Sequence, residues 1–105
     1  MNSLHIAPAA QKDLLEIKKY ITEDLENPDA ALSTISKITK TIRTLYDHAL
    51  IGTPLSSIAD VSSDYRFLSS GNYMVFYRVN DRDVYVDRIL YGHRDYLRVL
   101  FPNLF

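Results

Sequence analysis

The sequence contains no cysteine and no tryptophan, only three glycines, and no long hydrophobic run. Without cysteine the chain has neither a disulfide framework nor a thiolate metal site, which fits a reducing cytosol. No apolar segment approaches the roughly 20 residues that a membrane-spanning helix needs. The first residues also lack the basic and apolar segments of a secretion signal. We therefore expect a cytoplasmic protein that does not bind a membrane.

An excess of positive charge is also missing. The formal net charge is −1 and the pI is about 6.3, values that do not indicate general nucleic-acid binding. The charges are nevertheless unevenly distributed, because all five lysines precede residue 50 whereas six of the seven arginines follow it. Six acidic residues share the second half with those arginines, so surface ion pairing is the simplest interpretation of any one of them.

The first half of the chain predicts a short strand followed by two helices. Leu4-His5-Ile6 can form the strand, and two sets of apolar residues then recur at steps of three and four. The sets are Leu14, Ile17, Ile21 and Leu25, and then Ala31, Ile35, Ile38, Ile42 and Leu45. Between them, Asn27 can cap the second helix and Pro28 can occupy its first position. The short connection predicts a helical hairpin whose joint apolar face needs a cover.

The second half predicts that cover as a three-stranded antiparallel meander. Residues 50–64 are rich in serine and read as a loop held by Leu55, Ile58 and Val61, and three β-branched and aromatic runs follow. The runs are 65–68, 73–79 and 84–91, and a last helical turn is expected within 94–101. Arg88 falls in phase with apolar residues of its strand, which either a bulge near Asp87 or an edge strand with mixed faces would explain.

These elements predict one α+β domain over residues 1–105. Its N-terminal strand and helical hairpin would pack on a small, mainly antiparallel sheet, a size at which roughly two-thirds of the unfolded surface is buried. We expect the apolar stripe of the second helix to face strand residues such as Val75, Val84 and Val86.

No metal or cofactor site is indicated. His5, His48 and His93 match no ligand spacing, and neither a phosphate-binding glycine loop nor a nucleophile elbow occurs. What remains in the second half is a set of arginines, tyrosines and acids. Cleavage of RNA needs a base, a cation for the phosphorane and an acid, which such residues can supply. The same residue types form protein-binding hot spots, and composition alone does not separate the two.

Short motifs follow one another through the meander. They are Tyr65-Arg66, Ser70-Gly71-Asn72-Tyr73, Phe76-Tyr77-Arg78-Val79 and Arg88-Ile89-Leu90-Tyr91-Gly92-His93-Arg94-Asp95. With the helical hairpin before them, they resemble the RelE/ParE superfamily, the toxins of bacterial type II toxin–antitoxin systems, over nearly the whole chain. The resemblance implies a cytoplasmic toxin of the kind associated with plasmid stabilisation. It also implies a cognate antitoxin whose disordered tail folds over the sheet and helices, contact with operator DNA only through that antitoxin, and a homodimer or a toxin–antitoxin hetero-oligomer.

The resemblance leaves two activities open, of which one is enzymatic. The enzymatic alternative is the activity of the ribonuclease branch, a ribosome-dependent cleavage of mRNA that needs no metal. On this alternative, the resemblance implies that Arg66 and Arg94 are the catalytic residues. His93, Tyr77 and Asp95 are further candidates. Three further positions do not match that branch. It has a second basic residue, an arginine on the middle strand and a tyrosine in the C-terminal segment, and these positions correspond here to Leu68, to Met74 and to the neighbourhood of Leu100.

The motifs resemble the ParE branch more closely. That branch is associated with poisoning DNA gyrase, and it implies that Arg94, Tyr96, Arg98 and Phe101 form a target-binding surface. We therefore predict the toxin of a type II toxin–antitoxin system that inhibits growth by binding a macromolecular target, with gyrase as the family precedent. The ribosome with its mRNA is the alternative target. An antitoxin-binding co-repressor scaffold without toxicity is the third alternative.

Overall fold

Five strands form one sheet with two long helices across one of its faces in the computed structural model, which describes residues 1–104. The strands are β1 Ser3–Ile6, β2 Thr53–Pro54, β3 Arg66–Ser70, β4 Tyr73–Asn80 and β5 Asp83–Tyr91. Their spatial order is β1-β5-β4-β3-β2, and only β1 and β5 are parallel neighbours. The predicted α+β class is therefore confirmed. Within residues 1–104, no helix combines the length and the apolar character needed to cross a membrane.

The helical hairpin begins directly after β1. Helix α1 spans Pro8–Lys19 and continues as a wider, π-helical turn over Tyr20–Asp24, and helix α2 spans Pro28–Arg43. Asn27 caps α2 as predicted, because its side-chain oxygen accepts a hydrogen bond of 3.0 Å from the Ala30 N–H. Pro28 occupies the first turn, where its missing N–H is not needed.

The main core lies between this hairpin and the sheet. It consists of Ala10, Ile38, Ile42 and Leu45 from the helical side and Val75, Tyr77, Val84, Val86 and Ile89 from β4 and β5. The predicted packing of α2 against the inner residues of these strands is thereby confirmed. Each fully buried aliphatic side chain contributes about 1.5–3 kcal/mol, so this cluster fixes how the helices sit on the sheet.

Three apolar residues that were predicted to be buried are not. Leu25 is 55% exposed because the wider turn at Tyr20–Asp24 adds a residue and shifts the helical phase. Ile58 is 54% exposed, whereas the other two predicted loop anchors do pack against the sheet. Ile35 is only half-buried and lies outside the core cluster.

The opposite face of the sheet has a second, smaller core. Leu55, Phe76 and Leu90 are buried there, under the loop before β3 and under a short C-terminal helix, α3, which spans Tyr96–Leu100. The predicted last helical turn is thus present, and it covers this face of the sheet. Because α3 has only 5 residues, packing rather than helix propensity must hold it.

The predicted bulge lies at Asp87. Phe76 pairs with Arg88 and Tyr77 pairs with Val86, so Asp87 of β5 has no partner on β4. The extra residue lets both Val86 and Ile89 face the main core although they are three positions apart. Asp87 and Arg88 are therefore free to make contacts outside the regular alternation of the strand.

Candidate functional site

Arg88 is held by a buried carboxylate on α1. Its Nε and Nη2 donate hydrogen bonds of 2.8 and 2.9 Å to the two carboxylate oxygens of Asp13, which is only 4% exposed. The Ile89 N–H donates to the same carboxylate at 2.9 Å. This paired arrangement raises the pKa of Arg88 above its ordinary value, first through the hydrogen bond to Asp13. Arg88 is therefore a structural residue.

The sheet topology explains why Asp13 is needed. β1 pairs with β5 only as far as Ile6 and Val86, and the chain then turns into α1. The Ile89 N–H, further along this edge, has no strand partner, and the Asp13 carboxylate replaces one. Sequence reasoning missed this pair, although one signal was available: Asp13 stands on the buried stripe of α1, three positions after Ala10.

Arg66 and Tyr77, both predicted as catalytic candidates, anchor the loop before β3. The Arg66 Nη1 donates to the carbonyl oxygens of Gly52 and Leu50 at 2.8 and 3.3 Å. The Gly52 N–H donates to the Tyr77 hydroxyl oxygen at 2.8 Å, and Tyr77 has no exposed surface. Burial is the main cause that raises the pKa of Tyr77. A side chain at position 52 is excluded, because its Cβ would lie 2.5 Å from that hydroxyl oxygen.

A third arginine, Arg78, belongs to a ladder of side chains on the sheet face opposite α1 and α2. Its Nε donates to Asp87 Oδ2 at 2.7 Å, and the Tyr65 hydroxyl donates to the same oxygen at 2.9 Å. The Arg78 guanidinium carbon lies 5.8 and 6.0 Å from the ring centroids of Tyr65 and Tyr85. Burial, followed by the contact with Asp87, raises the pKa of Tyr65 to about 12. His5 extends the ladder by stacking on Tyr85 at 4.9 Å.

The residues after Gly92 differ from these anchored arginines. His93, Arg94, Asp95 and Arg98 are all exposed. Arg98 makes one 3.5 Å contact with Asp95, in which both side chains are mostly exposed. Arg94 makes no ion pair within residues 1–104.

The aromatic members of the predicted target-binding set pack against the second core. The Tyr96 ring lies 5.2 Å from the Phe76 ring, and the Phe101 ring meets Tyr65 edge-on at 5.9 Å. Both are half-buried against the second core. They hold α3 on the sheet. The four predicted residues therefore divide into two exposed arginines and two aromatic anchors.

Arg66 and Arg94, the two principal catalytic candidates, lie beside different levels of the central strand β4. Arg66 pairs with Tyr77 at one end of the sheet, whereas Arg94 follows Tyr91, which pairs with Tyr73 at the other end. Tyr73 and Tyr77 are four residues apart on β4, which corresponds to about 13 Å at the usual rise of a strand.

A groove of about 480 Å³ lies beside the exposed end of β5. Its walls include Ile17 and Tyr20 on the α1 side, Tyr73 of β4, and Tyr91 and Arg94 at the end of β5. Burial, together with the neighbouring Tyr20 and Tyr91 hydroxyls, raises the pKa of Tyr73. The groove thus combines aromatic walls with the carboxylates of Asp13 and Glu16 and with Arg94, which makes no ion pair in the described residues. No group of three histidine, cysteine, aspartate or glutamate residues that could hold a metal ion occurs in the described part of the chain.

Comparison with known proteins agrees with the resemblance seen in the sequence. The family model described as ParE toxin of type II toxin–antitoxin system, parDE, matches residues 4–96. A solved chain of the chromosomal ParDE toxin–antitoxin system from P. aeruginosa aligns with a TM-score of 0.72 and 24% identity, covering 87% of this chain and 96% of that chain. YafQ from E. coli strain BL21(DE3) aligns with a TM-score of 0.49 and 15% identity over 87% of this chain and 93% of its own. No curated protein matches the sequence.

The structural similarity supports the fold, and the family model carries the assignment, since it spans the strand, the hairpin, the meander and the start of α3. The chain belongs to the ParE toxin family of type II toxin–antitoxin systems.

Proposed function

We propose that the protein inhibits bacterial growth by binding a macromolecular target through a C-terminal arginine surface, defined as Arg94 and Arg98. DNA gyrase is the proposed target, by analogy with the ParE branch. The proposal rests on a difference in exposure between the aromatic and the basic residues of the segment from Arg94 to Phe101. Tyr96 and Phe101 are packed, whereas both arginines project from this anchored segment into solvent.

Anchoring makes the two arginines suitable for recognition. A guanidinium offers five donors in a planar fork, and a side chain presented from a packed segment loses less freedom on binding. Arginine is enriched among residues that contribute most to protein interfaces. The net charge of −1 gives little general attraction to nucleic acid, so a specific protein surface fits this arrangement better.

Ribonuclease activity has less support. The Arg66 guanidinium donates to two carbonyl groups, and Tyr77 is fully buried. Along β4, the position that pairs with the strand end before Arg94 is about 13 Å from the position that pairs with Arg66. Cleavage at one phosphate requires a base, a cation and an acid, and of the named candidates only His93, Arg94 and Asp95 are exposed next to one another.

A cognate antitoxin follows from membership of a toxin–antitoxin family. We propose that it neutralises the toxin, and that contact with operator DNA occurs through the antitoxin. Expression of the toxin without the antitoxin is therefore the condition under which inhibition should be visible.

The test compares three versions of the chain under an inducible promoter in a bacterial host without the antitoxin. These are the wild type, the double variant Arg94→Ala/Arg98→Ala, and Arg43→Ala as a control. Arg43 is a matched control because it is an exposed arginine of α2, outside the proposed surface, and makes no ion pair within residues 1–104. We expect arrested growth with the wild type and Arg43→Ala, and relief with the double variant.

Purified proteins then identify the target. In supercoiling and cleavage-complex assays with gyrase, the double variant should need roughly 30-fold more protein than the wild type, the effect of losing about 2 kcal/mol of interface energy. Normal growth with the wild type would favour the third alternative, an antitoxin-binding scaffold without toxicity. Unchanged supercoiling at large molar excess would exclude gyrase, and a cleaved message in a translation reaction would favour the ribonuclease.

A further inference from the structure

Arg98 lies among half-buried residues. From Tyr96 to Phe101 it is the one exposed position, and the residues on either side of it pack against the second core. The helix α3 has only 5 residues, a length at which an isolated helix does not persist in water. The direction in which Arg98 points therefore depends on the side chains that hold α3 on the sheet.

Aromatic contacts hold both ends of α3. At its start, the Tyr96 ring lies 5.2 Å from the ring of Phe76, which is fully buried. At its end, the Phe101 ring meets the Tyr65 ring edge-on at 5.9 Å. The Phe101 N–H also donates to the Leu97 carbonyl at 2.8 Å, the bond that closes the helix. The closing bond of α3 therefore adjoins a contact with a residue from outside the helix.

Tyr65 is fixed through its backbone and through its side chain. Its N–H donates to Ser63 Oγ at 3.0 Å, and its C=O accepts from the Leu55 N–H at 2.9 Å. Its hydroxyl donates to Asp87 Oδ2 at 2.9 Å, and the Arg78 guanidinium carbon lies 5.8 Å from the centre of its ring. Because both ends of the side chain are held, the ring presents a fixed surface to α3.

Arg94 is positioned by other contacts. Its N–H donates to the Tyr91 carbonyl at 3.0 Å, and its C=O accepts from the Tyr96 N–H at 2.8 Å. Both bonds belong to the turn between β5 and α3, and neither involves the end of the helix. The two arginines of the C-terminal arginine surface are therefore placed by different parts of the structure.

We propose that Tyr65 is a positioning residue for target binding, because its ring holds Phe101, keeps the end of α3 closed and so directs Arg98 outward. Tyr65 acts through Arg98 and not through Arg94. An arginine that is already ordered loses less freedom on binding, so affinity for the target falls when the end of α3 opens more often. The contact itself is a property of the fold, whereas its effect on inhibition rests on the proposed function.

Amide hydrogen exchange of the purified protein tests this contact without any target. The wild type is compared with Tyr65→Ala, Tyr65→Phe and the control Tyr85→Ala. Tyr85 is a matched control because it is a tyrosine of the same ladder, 6.0 Å from the Arg78 guanidinium carbon, and does not belong to the second core. The amide that reports on the end of α3 is the Phe101 N–H.

The variants should differ in the exchange rate of this one amide. In Tyr65→Ala the Phe101 N–H should exchange roughly two- to tenfold faster than in the wild type, the range expected from losing one aromatic pair. Tyr65→Phe keeps the ring, so its rate should stay within about twofold of the wild type. Tyr85→Ala should leave the rate unchanged. The amides of β4 and β5 are the internal reference, because an equal increase there would mean a general loss of stability.

Inhibition of gyrase then tests whether Tyr65 acts through Arg98. Tyr65→Ala is combined with Arg98→Ala and, separately, with Arg94→Ala, and the protein concentration that half-inhibits supercoiling is measured. We expect Tyr65→Ala to raise this concentration roughly two- to tenfold in the wild-type and Arg94→Ala backgrounds, and to have no further effect in Arg98→Ala. A residue that only stabilised the fold would weaken inhibition equally in all three backgrounds.

Three results would overturn the proposal. The Phe101 exchange rate could be unchanged in Tyr65→Ala, it could rise no more than the rates in β4 and β5, or the effect of Tyr65→Ala on inhibition could persist in the Arg98→Ala background. If the wild type itself did not inhibit gyrase, the proposed target would be wrong, and the exchange comparison would still decide whether Tyr65 holds α3.

Discussion

Arg88 and Arg98 are ten positions apart in the sequence, and each has an aspartate partner, yet their surroundings are opposite. The Arg88 side chain is 28% exposed and makes a two-pronged contact of 2.8 and 2.9 Å with a carboxylate beneath α1. The Arg98 side chain is 70% exposed and makes one contact of 3.5 Å with Asp95. Water access therefore distinguishes an arginine that supports the fold from one that is available to a partner.

The largest expected effect comes from removing the carboxylate beneath α1. Asp13→Ala leaves the Arg88 guanidinium and the Ile89 N–H without their acceptor, at an expected cost of about 3–5 kcal/mol in the free energy of unfolding. A domain of this size has about 5–15 kcal/mol in total, so the loss should be plain in urea denaturation.

Asp13→Asn sharpens the comparison. It retains an oxygen that can accept from the Ile89 N–H and loses the charge opposite Arg88, so its free energy of unfolding should lie between those of the wild type and Asp13→Ala. If Asp13→Ala cost no more than Asp95→Ala, the distinction between the buried and the exposed pair would be wrong.

The next effect concerns the loop anchor. Tyr77→Phe removes the hydroxyl that accepts from the Gly52 N–H and leaves that buried donor unpaired, so we expect a loss of about 1–3 kcal/mol in the free energy of unfolding. Tyr46→Phe is the control, because Tyr46 is an exposed tyrosine outside the loop anchor. Growth inhibition per folded molecule should be unchanged in Tyr77→Phe. If Tyr77→Phe lost growth inhibition while its free energy of unfolding stayed normal, a catalytic role for Tyr77 would be supported instead.

The fold was predictable from the sequence because it depends on local periodicity. Steps of three and four between apolar residues indicated the hairpin. Because Arg88 broke the phase of its strand, a bulge near Asp87 was one of two explanations, and the structure shows that it is the correct one. The burial of Tyr77 follows from the same alternation, since Val75 and Tyr77 face one side, but the sequence analysis named Tyr77 among the catalytic candidates instead.

The roles of the arginines were not predictable in the same way. The partner of Arg88 lies 75 positions earlier in the chain, and the partners of Arg66 are backbone carbonyls of a loop. Neither contact leaves a periodic signal in the sequence. The exposure of Arg94 and Arg98 became apparent only once α3 was seen to bury its aromatic residues and not its basic ones.

A smaller effect is expected from the ladder on the sheet face opposite α1 and α2, and it depends on pH. The pKa of Tyr65 is raised from 10.0 to about 12, so below pH 10 the neutral hydroxyl contributes fully in the folded state. As pH rises from 10.0 toward about 12, the unfolded chain ionises first and stability falls. Partial exposure of Tyr65 weakens the effect through solvent screening.

Ultraviolet absorbance of tyrosinate measures this directly. Tyr65→Phe should remove the component that titrates at about pH 12 and should flatten the loss of stability between pH 10 and that value. An unchanged titration curve would mean that the contact between Tyr65 and Asp87 does not hold the hydroxyl in solution.

The smallest effect on stability should come from the exposed pair. Arg98→Ala removes one 3.5 Å contact between two largely solvated side chains, so the free energy of unfolding should change by less than about 0.5 kcal/mol. Growth inhibition should nevertheless weaken, because the same guanidinium belongs to the proposed target-binding surface. Asp95→Ala, which frees Arg98 from its only ion-pair partner within residues 1–104, should leave inhibition intact or increase it. If Arg98→Ala proved strongly destabilising, Arg98 would belong with Arg88 as a structural residue, and the surface would reduce to Arg94.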